Sequence, residues 1–371
     1  MKALGIIFSN IHDRDIPELT SLRTLASIPF GGRYRLIDFA LSNLVNAGVR
    51  KVGVITKNNY QSLMDHLGSG KHWDLSRKNG GLMILPPFGV VSSQSVYHTR
   101  FEALQGALNF LKHSTEDFVI MSDCDIVCNM DFKEAVEQHT ANNADITLIV
   151  REKEVEADKL RKFVECDASG RVTKFWGSSK ETGNKLLYTN IAVIGRKYLI
   201  NILENARELR IKSFSADVLE RGVSEKRKVM AYKFKGYFAN IDSLANYYEH
   251  SLQLLDADSR RSLFKKEGAP VYTKVRDSVP ARFSQSAAVS NSLIADACVI
   301  EGEVVNSIIF RGVRVARGAR VAGSILMQDT KVGEGSSLNC VIADKSVRIG
   351  DKRILSGHET HPYFLAKNSI I

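Results

Sequence analysis

LIADACVIEGEVVNSIIFRGVRVARGARVAGSILMQDTKVGEGSSLNCVIADKSV, residues 293–347, decides the architecture of the second half of the chain. Branched aliphatic residues return every six positions: Leu293, Val299 and Val305, then Ile309, Val315, Val321 and Met327, then Val332 with Leu338 and Val341 with Val347. Helical spacing is absent, and small or glycine residues fill the intervals. A β-meander requires only a period of two and leaves a six-residue recurrence unexplained. A left-handed parallel β-helix requires it, because each flat face ends at a corner after one short strand and points one aliphatic side chain inward. Residues 284–371 are therefore expected to form such a solenoid, whose flat sides suit subunit assembly. After Ile354 the repeat fades, and a strand, an interface arm and disorder all stay open.

Upstream the texture is different. Residues 256–283 carry charge and two prolines, Pro270 and Pro280, and read as a connector. Residues 1–255 alternate strand-like and helix-like runs, the pattern of an α/β domain with a Rossmann-like mixed sheet. Lys2 to Phe8 reads as the first strand. A helix from about Ile37 to Ala47 presents Ile37, Leu41, Leu44 and Val45 on one face, with Gly48 placed as its C-terminal cap. Strands follow at Lys51–Thr56, Phe118–Met121 and Ile146–Val150, and Asp131 to Glu134 reads as a capping box. In such sheets ligands bind beyond the carboxyl ends of the strands, which directs attention to the loops after Phe8 and Met121.

Composition narrows the class. Of 371 residues, 44% are hydrophobic, enough for a substantial core, which excludes a disordered chain. The 51 Lys and Arg against 41 Asp and Glu give a net charge of +10, favouring anionic partners. The basic residues are dispersed with no aromatic platform between them, so nucleic acid is not an expected partner. Cys124, Cys128, Cys166, Cys298 and Cys340 lack paired metal-site spacing and read as reduced thiols. His12, His66, His72 and His98 likewise show no ligand spacing. The apolar run Ala3 to Phe8 is too short for a signal core, and no stretch approaches about 18 apolar residues, so a cytoplasmic location off the membrane is expected.

The segment LTSLRTLASIPFGGRYRLIDFALSNLVNAG, Leu19 to Gly48, resembles the glucose-1-phosphate adenylyltransferase (ADP-glucose pyrophosphorylase) family, whose core motif reads PFGGKYRLIDFPLSN. The resemblance continues through Asn143–Thr147, GYFANIDSLANYYE at 236–249 and VYTKVRDSVPARF at 271–283, and covers nearly the whole chain. It implies a nucleotidyltransferase domain followed by a β-helix, a tetramer, regulation by phosphorylated metabolites, and magnesium for the transfer reaction. It also implies a choice of branch, because the family includes regulatory subunits with degraded active sites beside catalytic ones.

Residue by residue, this sequence departs from the catalytic pattern. Where catalytic members carry GGxGxRLxxLT, the chain has SNIHDRDIPELT, Ser9 to Thr20. Asn10, Ile11 and Asp13 stand at the glycine positions whose backbone amides approach phosphates, and Asp15 stands for the arginine, with Arg14 the only nearby substitute. Of the two metal-binding carboxylates, one corresponds to either Asp123 or Asp125 in a segment one residue longer than the family's. The other is replaced by Asn240, which brings a carbonyl oxygen without charge. Ser178 replaces the lysine of FxEKP that grips the sugar phosphate, and Arg100 and Phe101 replace small residues of GTADA and are expected to crowd the nucleotide.

Arg23, Arg33 and Arg35 match basic positions where relatives bind phosphorylated activators, and guanidinium suits that task, although salt bridges at a subunit contact would use the same residues. The expectation is a regulatory subunit, silent or feeble alone, with no tightly held cofactor of its own. It would assemble with a catalytic adenylyltransferase subunit and respond to a sugar-phosphate or nucleotide effector. A rebuilt independent nucleotidyltransferase and a homo-oligomeric sugar-phosphate sensor are the rivals.

Overall fold

Six consecutive buried residues form the strand Ala3–Phe8, and burial on both faces requires an interior position in a covered sheet. A computed structural model describes residues 2–87, 97–157 and 159–371. In it Ala3–Phe8 lies between two parallel neighbours, Lys51–Ile55 and Phe118–Asp123, within a nine-stranded mixed sheet. Lys51–Ile55 pairs onward with Gly81–Leu85. On the other side the long strand Gly183–Gly195 runs antiparallel to Phe118–Asp123, Ile146–Val155 and Arg161–Cys166, turning the sheet from parallel to mixed. Phe8 pairs with Asp123 in register, so the loops that follow both residues emerge at the same carboxyl edge.

The helix expected near residue 37 spans Leu36–Asn46, and Gly48 closes it at φ +83°, its N–H donating to Val45. At Asp131 only half of the capping box forms. The Asp131 carboxylate accepts from the Lys133 amide at 2.8 Å, while Glu134 instead accepts from the Tyr232 hydroxyl across to a neighbouring strand. Tertiary contact has displaced the local bond.

Three five-stranded parallel sheets make up the C-terminal β-helix, successive strands stepping from one sheet to the next. Serines record the pitch: Ser292 Oγ accepts from the Ser307 amide 15 residues on, and Ser307 and Ser324 repeat the bond at intervals of 17. The two turns spanned by the later bonds are therefore each one residue short of three hexapeptides, whereas the last turn lengthens, pairing Val341 with Tyr363. From Ile309 to Val321, and again at Val332, Leu338, Val341 and Val347, the expected aliphatic residues fill the interior. The first series is out of phase. Ile294, Ile300 and Val304 face inward in place of Leu293, Val299 and Val305, since in a strand a one-residue slip changes the face.

Leu293 has another task. With Ile308, Ile325, Ile342 and Phe364 it forms the outward column of one sheet, which packs into the hydrophobic core of the N-terminal domain. Met327 joins the same core, with Leu326 as the inward residue beside it. One flat side expected for assembly is thus consumed within the chain. Two polar bonds fix the register of the docking: Arg23 pairs with Asp344 at 2.6 Å, both side chains 4% exposed, and the Tyr248 hydroxyl donates to the Gly323 carbonyl.

The intended connector 256–283 contains a helix, Ala257–Phe264, whose Phe264 stacks on Tyr34 at 4.9 Å, and it ends in the first β-helix strand, Arg282–Phe283. The segment past Ile354 is ordered as strands Ile354–Ser356 and Tyr363–Leu365, and the last residues bond to Arg348 and Gly350 at the open end of the solenoid. Such a cover blunts an edge.

The buried Arg23–Asp344 pair yields a stability test. Arg23→Ala leaves the Asp344 carboxylate buried without its charge partner and is expected to cost about 3–5 kcal/mol, whereas Arg23→Met with Asp344→Leu recovers most of the loss. Urea denaturation of the three proteins measures both terms.

Candidate functional site

The carboxyl edge of the sheet gathers the residues that the sequence scatters. Asp123 ends its strand and Asp125 follows two residues later, both buried. The strand Phe238–Asn240 pairs with Ile126–Cys128, which sets Asn240 opposite Ile126, and the Ile241 amide donates to the Asp125 carbonyl at 2.7 Å. Across from them the loop after Phe8 is held down. Ser9 and Asn10 are buried, Asn10 Oδ1 accepts from the Tyr97 hydroxyl at 3.1 Å, and Ile11 packs into the hydrophobic core.

In that loop Asp13 turns its carboxylate inward onto the Leu25 amide at 2.8 Å, and burial pushes its pKa up to about 7. Arg14 is exposed and Asp15 borders the cleft. No positive group of the loop other than His12 faces the centre among the described residues.

His12 Nε2 lies 2.8 Å from Asp123 Oδ2 and 3.9 Å from Asp125, and its Nδ1 lies 3.1 Å from Asp15. Burial alone would lower its pKa, but the carboxylates of Asp125, Asp123 and Asp15 raise it well above the usual imidazole value. Both ring nitrogens thus face carboxylate oxygens, an arrangement that favours the protonated imidazole. The second cation on Asp123 is Arg100, whose guanidinium donates to the same Oδ2 and lies over the Phe8 ring at 5.3 Å. Burial would raise the Asp123 pKa, yet Arg100 and His12 together hold it below the ordinary carboxylate value. Asp125 goes the other way, to about 7, chiefly by burial and despite His12.

The magnesium ion implied by the resemblance can be tested against this geometry. Ligand atoms of His12, Asp123 and Asp125 lie within 4.8 Å of one another, and Asp123 Oδ1, Asp125 Oδ1 and Asn240 Oδ1 are buried without a partner. Those are hard oxygens, and the two carboxylates are close enough to share an ion. The charge is wrong: Arg100 and His12 already hold the Asp123 carboxylate through Oδ2, and a divalent ion binding Oδ1 would meet both cations across the same carboxylate. As they stand, these residues do not fit magnesium.

A cleft of about 600 Å³ opens over this centre, lined by His12, Asp15, Asp125 and Asn240 on one side and by Lys159, Arg161, Lys162 and Tyr188 on the other. Ser178 pairs with Arg161 on the neighbouring strand and caps the Lys180 amide, outside the cleft lining. Phe101 is buried in the core. His12 and Arg100 were legible neither as ligands nor as partners, because 111 and 23 residues separate them from Asp123. The excess of carboxylates in the loop was the only available signal.

A second cleft lies where the two domains meet. The hairpin Pro29–Arg35 turns through Gly31 and Gly32, at φ +58° and +82°, and projects Arg33 and Arg35 toward the β-helix. Lys274, Arg276, Arg311 and Lys345 add four more cations to the lining, which contains no carboxylate. Arg35 donates to Ser62, Lys274 to the Asp65 carbonyl, and Arg311 lies 3.5 Å from Asp296. Burial, with Arg35 and Arg23 nearby, lowers the Lys345 pKa to about 7. Arg23 itself does not line this cleft, being bound to Asp344.

Comparison with known proteins followed the same division. The nucleotidyl transferase family pattern matches residues 16–257, and the GlmU-like, C-terminal hexapeptide pattern matches 278–360. The chain is 33% identical to the glycogen biosynthesis protein GlgD of Bacillus subtilis, over 99% of this chain and 96% of that one. It is 31% identical to the glucose-1-phosphate adenylyltransferase of Geobacillus stearothermophilus, over 86% and 83% of the two chains. With that of Bacillus cytotoxicus the identity is 30%, over 91% and 90%.

The His12 geometry predicts a pH dependence with a definite sign. A folded pKa above 6.5 means that the native state holds its proton more tightly than the unfolded chain, so the stabilisation is complete below about pH 6.5 and is lost as pH rises through the folded value. Urea denaturation between pH 6 and 9 should show a decline that is shallower in His12→Ala.

Proposed function

Since the chain belongs to the nucleotidyl transferase family, among the glucose-1-phosphate adenylyltransferases and their GlgD relatives, we propose that it is a regulatory subunit of glucose-1-phosphate adenylyltransferase. Silent or feeble alone, it tunes ADP-glucose synthesis by a catalytic partner in glycogen formation. The single observation supporting this most strongly is the loop Ser9–Thr20. Where catalytic members offer glycine amides and an arginine to phosphates, this chain buries the Asp13 carboxylate on a backbone amide and sets Asp15 at the cleft border. A triphosphate passing this loop meets the Asp15 carboxylate in place of an arginine, with no glycine path to a backbone amide.

The reaction being tuned is in-line attack of glucose 1-phosphate on the α-phosphate of ATP, with magnesium and with pyrophosphate leaving, inside the catalytic subunit. This chain contributes through a hetero-oligomeric interface, a tetramer by the family resemblance, by biasing the partner between conformations. The interdomain cleft supports an effector role: six cations without a carboxylate suit a phosphorylated sugar or nucleotide, and the repulsion among them is relieved when an anion binds.

Pyrophosphate release from ATP and glucose 1-phosphate tests the central claim, using this chain, a catalytic homologue, and the two combined. The expected outcome is background release by the chain alone and a raised rate or altered activator response in the mixture. Robust turnover alone would overturn the proposal.

The cleft makes a separate prediction. Lys345 must be protonated to attract an anion, so binding takes up a proton and weakens as pH rises past about 7. Sulfate, dianionic throughout, should raise the melting temperature more at pH 6.5 than at pH 8.5, and Arg33→Ala should reduce the shift at both.

A further inference from the structure

We infer that Arg100 is a tethered counter-ion that replaces the divalent cation of this centre, so that the carboxylate pair is blind to metal for as long as the guanidinium is in place. The inference deepens the regulatory reading and rests on it only for its biological meaning; the chemistry stands on the geometry.

The placement of Arg100 is built rather than incidental. Its helix, Arg100–Gly106, begins with a reciprocal cap: Thr99 Oγ accepts from the Glu102 amide at 3.2 Å, and the Glu102 carboxylate accepts from the His98 and Thr99 amides. That fixes the first helical residue. From there the guanidinium passes over the Phe8 ring and reaches the Asp123 carboxylate, whose strand pairs Asp123 with Phe8. The Asp123 side chain is 0% exposed and that of Arg100 11%, so solvent does little to weaken the pair.

Three oxygens argue that a cation site persists beneath the guanidinium. Asp123 Oδ1, Asp125 Oδ1 and Asn240 Oδ1 are each buried and each without a hydrogen-bond partner. Buried acceptors are normally satisfied, and three orphans around one pair of carboxylates are more than a packed loop explains. With Arg100 removed, the carboxylates keep only His12 as a counter-charge, and hard oxygens lacking charge balance attract Mg²⁺ or Mn²⁺. One guanidinium nitrogen of Arg100 donates to Asp123 while its Nε has no hydrogen-bond partner, so the plug acts chiefly through its permanent charge.

Mn²⁺ binding to the full-length chain tests this, read as loss of the free-ion electron paramagnetic resonance signal and as a melting-temperature shift. Wild type is expected to leave the signal unchanged at submillimolar metal, and Arg100→Ala to bind at least about tenfold more tightly, a gain of about 1.4 kcal/mol. Arg100→Ala with Asp123→Asn should lose that binding, and Arg100→Lys, which keeps a cation, should remain blind or nearly so.

Equal binding by wild type and Arg100→Ala overturns the inference, as does a folded Arg100→Ala that takes up no metal. If Arg100→Ala does not fold, Arg100→Met with Asp123→Asn decides. Recovery of folding in the double variant shows that Arg100 was balancing Asp123, and failure of both variants to fold overturns the counter-ion role. Because no turnover is measured, Mn²⁺ bound by a catalytically silent wild type would sink this inference and leave the regulatory reading intact. Turnover by a metal-blind chain would do the reverse.

Discussion

One apolar column holds the molecule in its working shape. Leu293, Ile308, Ile325, Ile342 and Phe364 stack along a single outer face of the β-helix and enter the core of the N-terminal domain. The column spans successive turns of the solenoid, and the register of the two domains is set by the buried Arg23–Asp344 pair together with the Tyr248 hydroxyl on the Gly323 carbonyl. Burial of aliphatic surface supplies the attraction, while the ion pair supplies direction, since neither charge can be left behind in an apolar seam without a large penalty. The interdomain cleft is a by-product of that docking: Arg33 and Arg35 come from the hairpin, Arg311 and Lys345 from the β-helix.

The chain treats charge in opposite ways at its two clefts. At the carboxyl edge of the sheet, the Asp123 carboxylate is answered from within by Arg100 and His12, leaving it little to gain from a bound cation. Between the domains the cations of the cleft lining meet no carboxylate there, and burial, with the repulsion of Arg35 and Arg23 added to it, depresses the pKa of Lys345. A protein carries such repulsion when something anionic relieves it. The contrast is the electrostatic basis of the proposed regulatory role.

Local pattern carried much of the architecture. Gly48 closes its helix because only a residue tolerant of positive φ ends the turn there, and this is readable from a glycine after an apolar face. Six-residue recurrence revealed a β-helix, although its first turn was misphased: in two-residue strands Leu293 and Ile294 are equally aliphatic, and only the neighbouring domain decides which faces it. Asp131 shows the same limit, since Glu134 leaves the capping box for the Tyr232 hydroxyl, a partner 98 residues away.

By itself the sequence determined the sheet-plus-solenoid plan, the family, and the loss of glycines and of a carboxylate at Asn240, because these depend on residue type at short spacing. Tertiary structure alone decided what the remaining charges do. Arg100 read as an obstruction became the partner of Asp123, His12 read as ordinary came to lie among three carboxylates, and Arg23 left the phosphate-binding group for Asp344. The physical reason is that an ion pair forms over a few ångströms in space, whatever its separation along the chain. Burial, which sets the strength of each pair, exists only once the sheet and the solenoid have closed around them.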